Sequence, residues 1–405
     1  MFTLPSVSDR LELIRYSPIR QIAALLDRSR SKRSIISFGG GAPSLPPPKE
    51  ILEEISRLLN DETVRAVGYC GTKGLPELRE LISEDIERYF GTYYDPNSEI
   101  IITEGATEGI LLALFSILNK NDEVILIDPT YVGFSEPIKL AGGRVKHIPA
   151  LVKRGYQPRV EDLEASLTSR TKAFILLSPD NPTGRIISRE FVKALVDLAV
   201  DRDFWIIYDA TYKHIVYEGE NVWVPGFPGA MERTIVVNTF SKEASIPGLR
   251  LGYTLAPKEI IEAMEKLKQY TSLAPNTLGQ YALMKFYQDG VKDRYLKEVV
   301  LPTYKRRRDL MGELLRKYLP EAETVKPQGA FYYFVDIRPY LERMGRDDKE
   351  FANRLFYRKE VVVIPGAFFG EMGIGHVRMT FVSEPEERIK EGIERIGEFI
   401  FSYAI

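Results

Sequence analysis

The segment NTFSKEASIPGLRLGY, residues 238–253, sets Lys242 directly behind Thr239 and Ser241 and follows it, past Pro247 and Gly248, with Arg250. Taken alone, a Ser-Lys pair is most often a solvated loop feature. Three other short segments change that reading. SPDNPTG places Asn181 before Pro182 and Gly184, WIIYDATY ends an apolar run on Asp209 with Tyr212 close behind, and IIITEGATEG puts Gly105, Ala106 and Thr107 at the opening of a helical pattern. Each also has a plain structural explanation: a proline-stabilised turn, a helix cap, a tight strand-to-helix turn. Yet an aspartate closing a buried strand costs desolvation energy unless a cation or donors compensate it. Small residues at the start of a helix let backbone N–H groups and the helix dipole approach an anion.

Together these loops supply an amine, a carboxylate, an amide, a phenol, and an arginine beside hydroxyls and backbone amides. Pyridoxal 5'-phosphate (PLP) uses that set. Its aldehyde suits Lys242 as a Schiff base, its protonated ring nitrogen suits Asp209, its phenolate oxygen suits Asn181 and Tyr212, and its phosphate suits Arg250. A pyridinium kept protonated by a buried carboxylate is an electron sink for the carbanion formed when an amino acid loses its α-proton. Lys242, displaced by the incoming amino acid, then acts as general base and acid between the substrate Cα and the cofactor C4'. Burial beside a cationic ring favours the unprotonated amine that this role needs.

The elements that must hold these loops follow from the pattern around them. From Ile100 strand-like and helical runs alternate: IIIT, an apolar helix, EVILID, a helix from about Tyr131, RVKHIPA, a helix near 160–167, AFILLS, a helix from Ser188, WIIYDA, TIVVNTF and RLGYTLAP. Several strand runs are apolar without period-two alternation, as expected of strands covered on both faces. The alternation predicts an α/β fold with a doubly wound, mostly parallel sheet, whose ligand loops lie beyond the carboxyl ends of the strands. After about Asn276, charged helical segments lead to FYYFVDI and VVVIP, which predict a smaller α+β domain. The expected division is an N-terminal arm over 1–47 packing with the small domain, a large cofactor-binding domain over 48–295 and a small C-terminal domain over 296–405.

Composition excludes several other functions. The 55 basic and 57 acidic residues of this 405-residue chain leave a net charge of -2, so no global field draws in nucleic acid or an anionic membrane. The single cysteine, Cys70, excludes an intramolecular disulfide, and the scattered His147, His214 and His376 form no His/Cys metal cluster, so no metal is expected and the setting is read as reducing and cytoplasmic. The N-terminal residues lack the apolar core of a signal peptide, and the longest apolar stretch, ILLALFSIL at 110–118, is too short to span a bilayer and reads as a buried helix.

Read in order, the motifs are FGGGAP with Gly41, VGYCGTKGLPELR with Tyr69, TEGATEG, DPTY with Tyr131, NPTG with Asn181, YDATY with Asp209 and Tyr212, FSK with Lys242, PGLRLG with Arg250 and HVRMTF with Arg378. From Ser17 to Val382 this series resembles the class I/II, fold-type-I PLP-dependent aminotransferases, in motif style the 2-aminoadipate/kynurenine-type and thermophilic aspartate-type subgroups above all. The resemblance implies a seven-stranded large-domain sheet. It also implies that Tyr131 stacks on the cofactor ring, and that Thr239 and Ser241 join Arg250 and the Gly105, Ala106, Thr107 turn at the phosphate. Tyr69 is implied to reach the phosphate in a partner subunit, hence a homodimer. In HVRMTF the alternation puts Arg378 and Thr380 on one face, where a planar guanidinium can grip a carboxylate bidentately. The family uses that position for the substrate α-carboxylate, with Gly41 and Asn181 beside it. Arg20, in the SPIR of the arm, matches an arginine that contacts acidic side chains in the 2-aminoadipate/kynurenine-type subgroup. Thr107 stands where the aspartate-type subgroup carries a lysine, which departs from a purely aspartate-directed site. The implied activity is transfer of the amino group of an L-amino acid to a 2-oxo acid, with 2-oxoglutarate as acceptor and ping-pong kinetics. A PLP lyase or decarboxylase uses the same cofactor contacts, and a non-catalytic PLP-sensing module is a third, less favoured reading.

Overall fold

The computed structural model describes residues 6–20, 34–60 and 65–402. Strand β1 (Ile36–Ser37) comes first, followed by the seven strands of the main sheet: β2 (Ile100–Thr103), β3 (Glu123–Asp128), β4 (Arg144–Pro149), β5 (Thr171–Leu177), β6 (Trp205–Asp209), β7 (Thr234–Thr239) and β8 (Gly252–Leu255). Their order across the sheet is β2-β8-β7-β6-β5-β3-β4. Only β8 runs antiparallel to its neighbours, β2 and β7, and the other adjacent pairs are parallel. Every residue of β2, β3, β7 and β8 is buried, the physical reason those runs show no alternation. β4 is an edge strand, and Arg144 and His147 in it are exposed.

The apolar helix forms over Ala106–Ile117 and buries Ile110, Leu112, Ala113, Leu114 and Ile117 against the core. Ser188 caps the helix Arg189–Arg202 by accepting the Phe191 N–H at 3.2 Å. The helix expected from about Tyr131 starts only at Ser135 and runs to Leu140. Before it the Tyr131 ring folds back against the Cα of Gly133, a poor helix former, so the chain turns there instead. Among the described residues, no helix is long and apolar enough to cross a membrane.

The C-terminal strands are β9 (Glu323–Thr324), β10 (Tyr332–Asp336), β11 (Val361–Val362), β12 (Ile364–Pro365) and β13 (His376–Thr380). Four of them form an antiparallel sheet in the order β12-β13-β10-β9, while β11 pairs in parallel with β1 and ties the N-terminal segment to this half of the molecule. VVVIP thus divides into two short strands rather than one. A continuous helical run from Val291 to Tyr318, with a π-helical stretch over Tyr295–Val300, links the two halves, and the expected division at 295/296 falls inside it. The arm carries a 3₁₀ turn at Asp9–Leu13 and helical residues at 18–20, and the Arg15 N–H donates to Glu136 at 3.1 Å.

Candidate active site

Because β2, β5, β6 and β7 run the same way, their following loops converge at one edge of the sheet. β7 ends at Thr239, whose hydroxyl accepts the Ser241 N–H at 3.2 Å and caps the four-residue helix Phe240–Glu243. That turn carries Lys242, half-buried, whose Nζ donates to the Gly41 carbonyl at 2.8 Å. Burial lowers the Lys242 pKa, with Arg378 and Arg250 pushing the same way and Tyr332 and Asp209 opposing.

β6 ends at Asp209, 5% exposed. Its carboxylate accepts the Thr211 N–H at 3.0 Å, and burial lifts its pKa from 3.8 to about 6, against the opposing field of Lys242. In the turn that follows, the Tyr212 hydroxyl lies 3.1 Å from that of Tyr332, and burial raises the Tyr212 pKa well above its ordinary value. Tyr131 is half-buried, with its ring edge-on to Phe134 at 5.4 Å. Its pKa is raised first by burial and then by Tyr332 and Asp209, so the ring lies within the field of the site.

Arg378, on β13, is no surface ion pair. It is 2% exposed, donating from Nη1 to Asn181 Oδ1 at 2.9 Å and from Nη2 to the Gly39 carbonyl at 2.7 Å. Its guanidinium sits 4.3 Å from the Tyr332 ring centroid and 5.0 Å from that of Phe369, while its Nε is buried with no hydrogen-bond partner. Burial lowers its pKa as well.

Gly105, at φ +79°, precedes the helix Ala106–Ile117 with no side chain capping the first N–H groups. A Cβ there would come within 2.7 Å of Arg250 Nη2. Arg250 is exposed, adopts a left-handed φ of 54°, and donates to the carbonyls of Pro247 at 3.0 Å and Glu104 at 3.3 Å. The Thr239 hydroxyl donates to that of Ser241 at 2.9 Å, and Gly252, paired with Thr239, packs against the Gly105 backbone. Glycine at 105 and 252 therefore lets the hydroxyl turn, the helix start and Arg250 come together. Thr107 is exposed at this helix start and Ala106 is half-buried.

Two expected residues are exposed and hydrogen-bond to none of the residues above. Tyr69 is 90% exposed. Arg20 is exposed in the arm, its N–H 3.5 Å from the Ser17 hydroxyl, although its charge is among those acting on Tyr131. Gly41 is in the site, where its carbonyl takes the Lys242 amine and a Cβ would run into the Tyr332 hydroxyl.

Sequence reasoning missed Tyr332 and Phe369. Tyr332 was findable: β10 pairs with β13 so that Tyr332 faces Thr380 and Phe334 faces Arg378, and pairing FYYFVDI with HVRMTF puts Tyr332 on the arginine's side of the sheet. Phe369 ends the 3₁₀ turn Gly366–Phe369, and its sequence offers no comparable cue.

These observations test whether PLP fits. The buried Asp209 calls for a cationic ring nitrogen, and the depressed amine of Lys242 suits an aldehyde. The glycine cradle beside Arg250 suits a phosphate, and the unpartnered Nε of Arg378 leaves donor capacity for a carboxylate. Fold and donor set together fit a fold-type-I PLP enzyme. The chain belongs to the aminotransferase class I and II family, whose description matches residues 33–396. It is 34% identical over 397 residues to an aromatic-amino-acid aminotransferase 2 of Thermococcus litoralis and equally to an aspartate aminotransferase of Pyrococcus abyssi, covering 98% of each and 98% of itself in both cases. Its fold superposes on the aspartate aminotransferase of Thermus thermophilus with maleate at a TM-score of 0.90 and 32% identity, over 98% of this chain and 100% of that one. With the aromatic aminotransferase of Pyrococcus horikoshii the TM-score is 0.86 at 33% identity, over 93% and 99%. The protein is a PLP-dependent transaminase acting on amino acids.

Proposed function

We propose that the enzyme moves the amino group of a broad range of L-amino acids, acidic and aromatic, to 2-oxoglutarate by a ping-pong mechanism that turns on Lys242. The observation that carries this reading is a pair of oppositely perturbed groups, each within the field of the other: Asp209, lifted to about 6, and Lys242, depressed by burial. PLP, when bound, supplies the sink for the electron pair left on the substrate Cα. Asp209 holds the proton on the ring nitrogen, Asn181 and Tyr212 serve the ring oxygen, and Tyr131 covers a ring face. Arg250, Thr239, Ser241 and the backbone of Gly105, Ala106 and Thr107 hold the phosphate. Arg378 receives the substrate α-carboxylate, with Gly41 and Asn181 beside it. Lys242 takes the α-proton and returns it, for which its lowered pKa supplies the unprotonated amine.

The relatives include both aspartate and aromatic aminotransferases, which supports broad specificity. Thr107 at the start of the helix Ala106–Ile117 and Arg20, whose charge reaches Tyr131, favour a reader of acidic side chains on the arm rather than a lysine at that helix start. We read the active form as a homodimer in which Tyr69 completes the partner's phosphate site, the cell compartment as the cytoplasm, and the division at 47/48 and 295/296 as that between arm, large domain and small domain. The test is a panel of amino acids against 2-oxoglutarate and oxaloacetate, for wild type and Arg20→Ala. In the variant kcat/KM for glutamate should fall far more than kcat/KM for leucine or phenylalanine, a ratio that in ping-pong kinetics does not include the half-reaction of the acidic acceptor. Equal losses remove the role of Arg20, an amine and carbon dioxide in place of an oxo acid assign a decarboxylase, and ammonia released without consumption of the acceptor oxo acid assigns a lyase.

A further inference from the structure

Glu243 follows Lys242 in the same turn, yet its carboxylate is engaged elsewhere. Lys213 Nζ donates to both of its oxygens, at 3.2 and 3.0 Å, Asn238 Nδ2 lies 3.4 Å from Oε1, and His214 Nε2 is 3.8 Å from Oε2. The side chains of Lys213 and Glu243 are 1% and 2% exposed. Beside them Lys292 donates to Asp85 and lies 2.9 Å from His214 Nε2, with Lys292 and Asp85 2% and 3% exposed. His214 is held well below its usual pKa by burial and by Lys292, Lys213 and Arg88, so it is neutral and its Nε2 accepts from Lys292. Two buried cations thus balance two buried anions.

An ion pair this deep is a poor device for stability, since well-packed apolar residues commonly serve as well. Its value lies in direction. Lys213 follows Tyr212 in the turn after β6, and Glu243 follows Lys242 in the turn after the adjacent β7. We propose that the Lys213–Glu243 pair is a positioning clamp that fixes the Tyr212 phenol and the Lys242 amine relative to each other, joining the two turns one residue beyond the groups that meet the cofactor. The proposal rests on the PLP reading above. Neither residue touches the reacting atoms, so the effect passes through Tyr212 and Lys242.

The test uses the full-length holoenzyme in four forms: wild type, Lys213→Met, Glu243→Gln and the double variant. Each single variant leaves a buried partner uncompensated and should melt earlier, and the double variant should recover much of that loss. If the pair is a clamp, the double variant stays defective in chemistry: kcat about tenfold below wild type with KM for the amino acid within about twofold. The visible absorption band of the PLP-loaded double variant should also titrate at a higher pH than in wild type, because a loosened turn hydrates the Lys242 nitrogen. Asp209, Tyr332, Arg378 and Arg250 act on Lys242 in all four forms, so their contribution cancels in the comparison. If the double variant regains kcat and the wild-type titration together with its melting temperature, the pair is only structural and the proposal is overturned. If the single variants do not fold, the double variant alone decides. A wild type that develops no visible band with PLP refutes the cofactor reading instead, a result separable from failure of the clamp.

Discussion

Asp209 is a carboxylate that burial disfavours as an anion, with a pKa lifted from 3.8 to about 6. A raised folded-state value means that the folded protein binds this proton more tightly than the unfolded chain does. The contribution of Asp209 to stability is therefore fully present below about pH 4 and is lost as pH rises through about 6, by about 3 kcal/mol in total. Cofactor-free Asp209→Asn lacks this loss. Its melting temperature should gain on that of the cofactor-free wild type between about pH 4 and 7, with a sign reversal once PLP is added, because the wild-type carboxylate then has a cation to face. A difference that stays constant with pH contradicts the account. In catalysis the same variant should lose on the order of a hundredfold in kcat, since an amide cannot hold the ring nitrogen protonated. Tyr332 separates two effects in one side chain. Tyr332→Phe removes only the hydroxyl facing Tyr212 and should cost about 1 kcal/mol of transition-state stabilisation in kcat/KM. Tyr332→Ala also removes the ring beneath Arg378, and should raise KM for the amino acid beyond the effect of the Phe variant.

At the scale of elements, the start of the helix Ala106–Ile117, with its uncapped N–H groups and Gly105 beside Arg250, is the proposed phosphate site. Gly105→Ala introduces both a Cβ close to Arg250 Nη2 and a left-handed φ of 79° for a residue that resists it. The expected outcome is a PLP dissociation constant raised about tenfold or more, with the apo protein destabilised by about 1–3 kcal/mol, read by fluorescence titration and thermal melting. Unchanged PLP affinity places the phosphate elsewhere. The same elements show what could be read from sequence and what could not. TIVVNTF is buried at every position and WIIYD at all but its first, so their largely apolar character announced central strands and made Asp209, which ends the second, and Lys242, which follows the first, stand out as loop groups. Burial left Tyr332 legible only through the pairing of FYYFVDI with HVRMTF: all five residues of β10 are inside, no polar face marks one side, and the tyrosine by itself looks like core. The late helix start at Ser135 and the break between β11 and β12 depend on close packing around Gly133 and on pairing with β1 and β13, contacts that a local pattern does not contain. Arg250 was legible as a cation, whereas its left-handed backbone, which sets where the guanidinium lies, was not.

The whole molecule raises the question of what Tyr69 is for. Its side chain is 90% exposed, Val67 is 64% exposed, Tyr270 87% and Leu273 48%, and Cys70 Sγ, 3.5 Å from the Pro275 carbonyl, joins the segment of the first two to that of the others. Exposed aromatic and aliphatic groups gathered in this way suit a surface that a second copy covers. In a twofold dimer each site would combine Lys242 of one subunit with Tyr69 of the other. That arrangement has a consequence no monomer can imitate. Lys242→Ala and Tyr69→Ala homodimers are each damaged at both sites, but a hybrid of the two has one site with both defects and one with neither. Random reassociation of equal amounts makes about half the dimers hybrid, so the mixture should recover about a quarter of wild-type activity after the subunits exchange. Activity that stays at the mean of the two variants after exchange, confirmed by a tag on one subunit, places Tyr69 outside the partner's site. Sedimentation at high and low protein concentration supplies the companion measurement: if Tyr69 completes the partner's phosphate site, PLP affinity should fall as dimers dissociate.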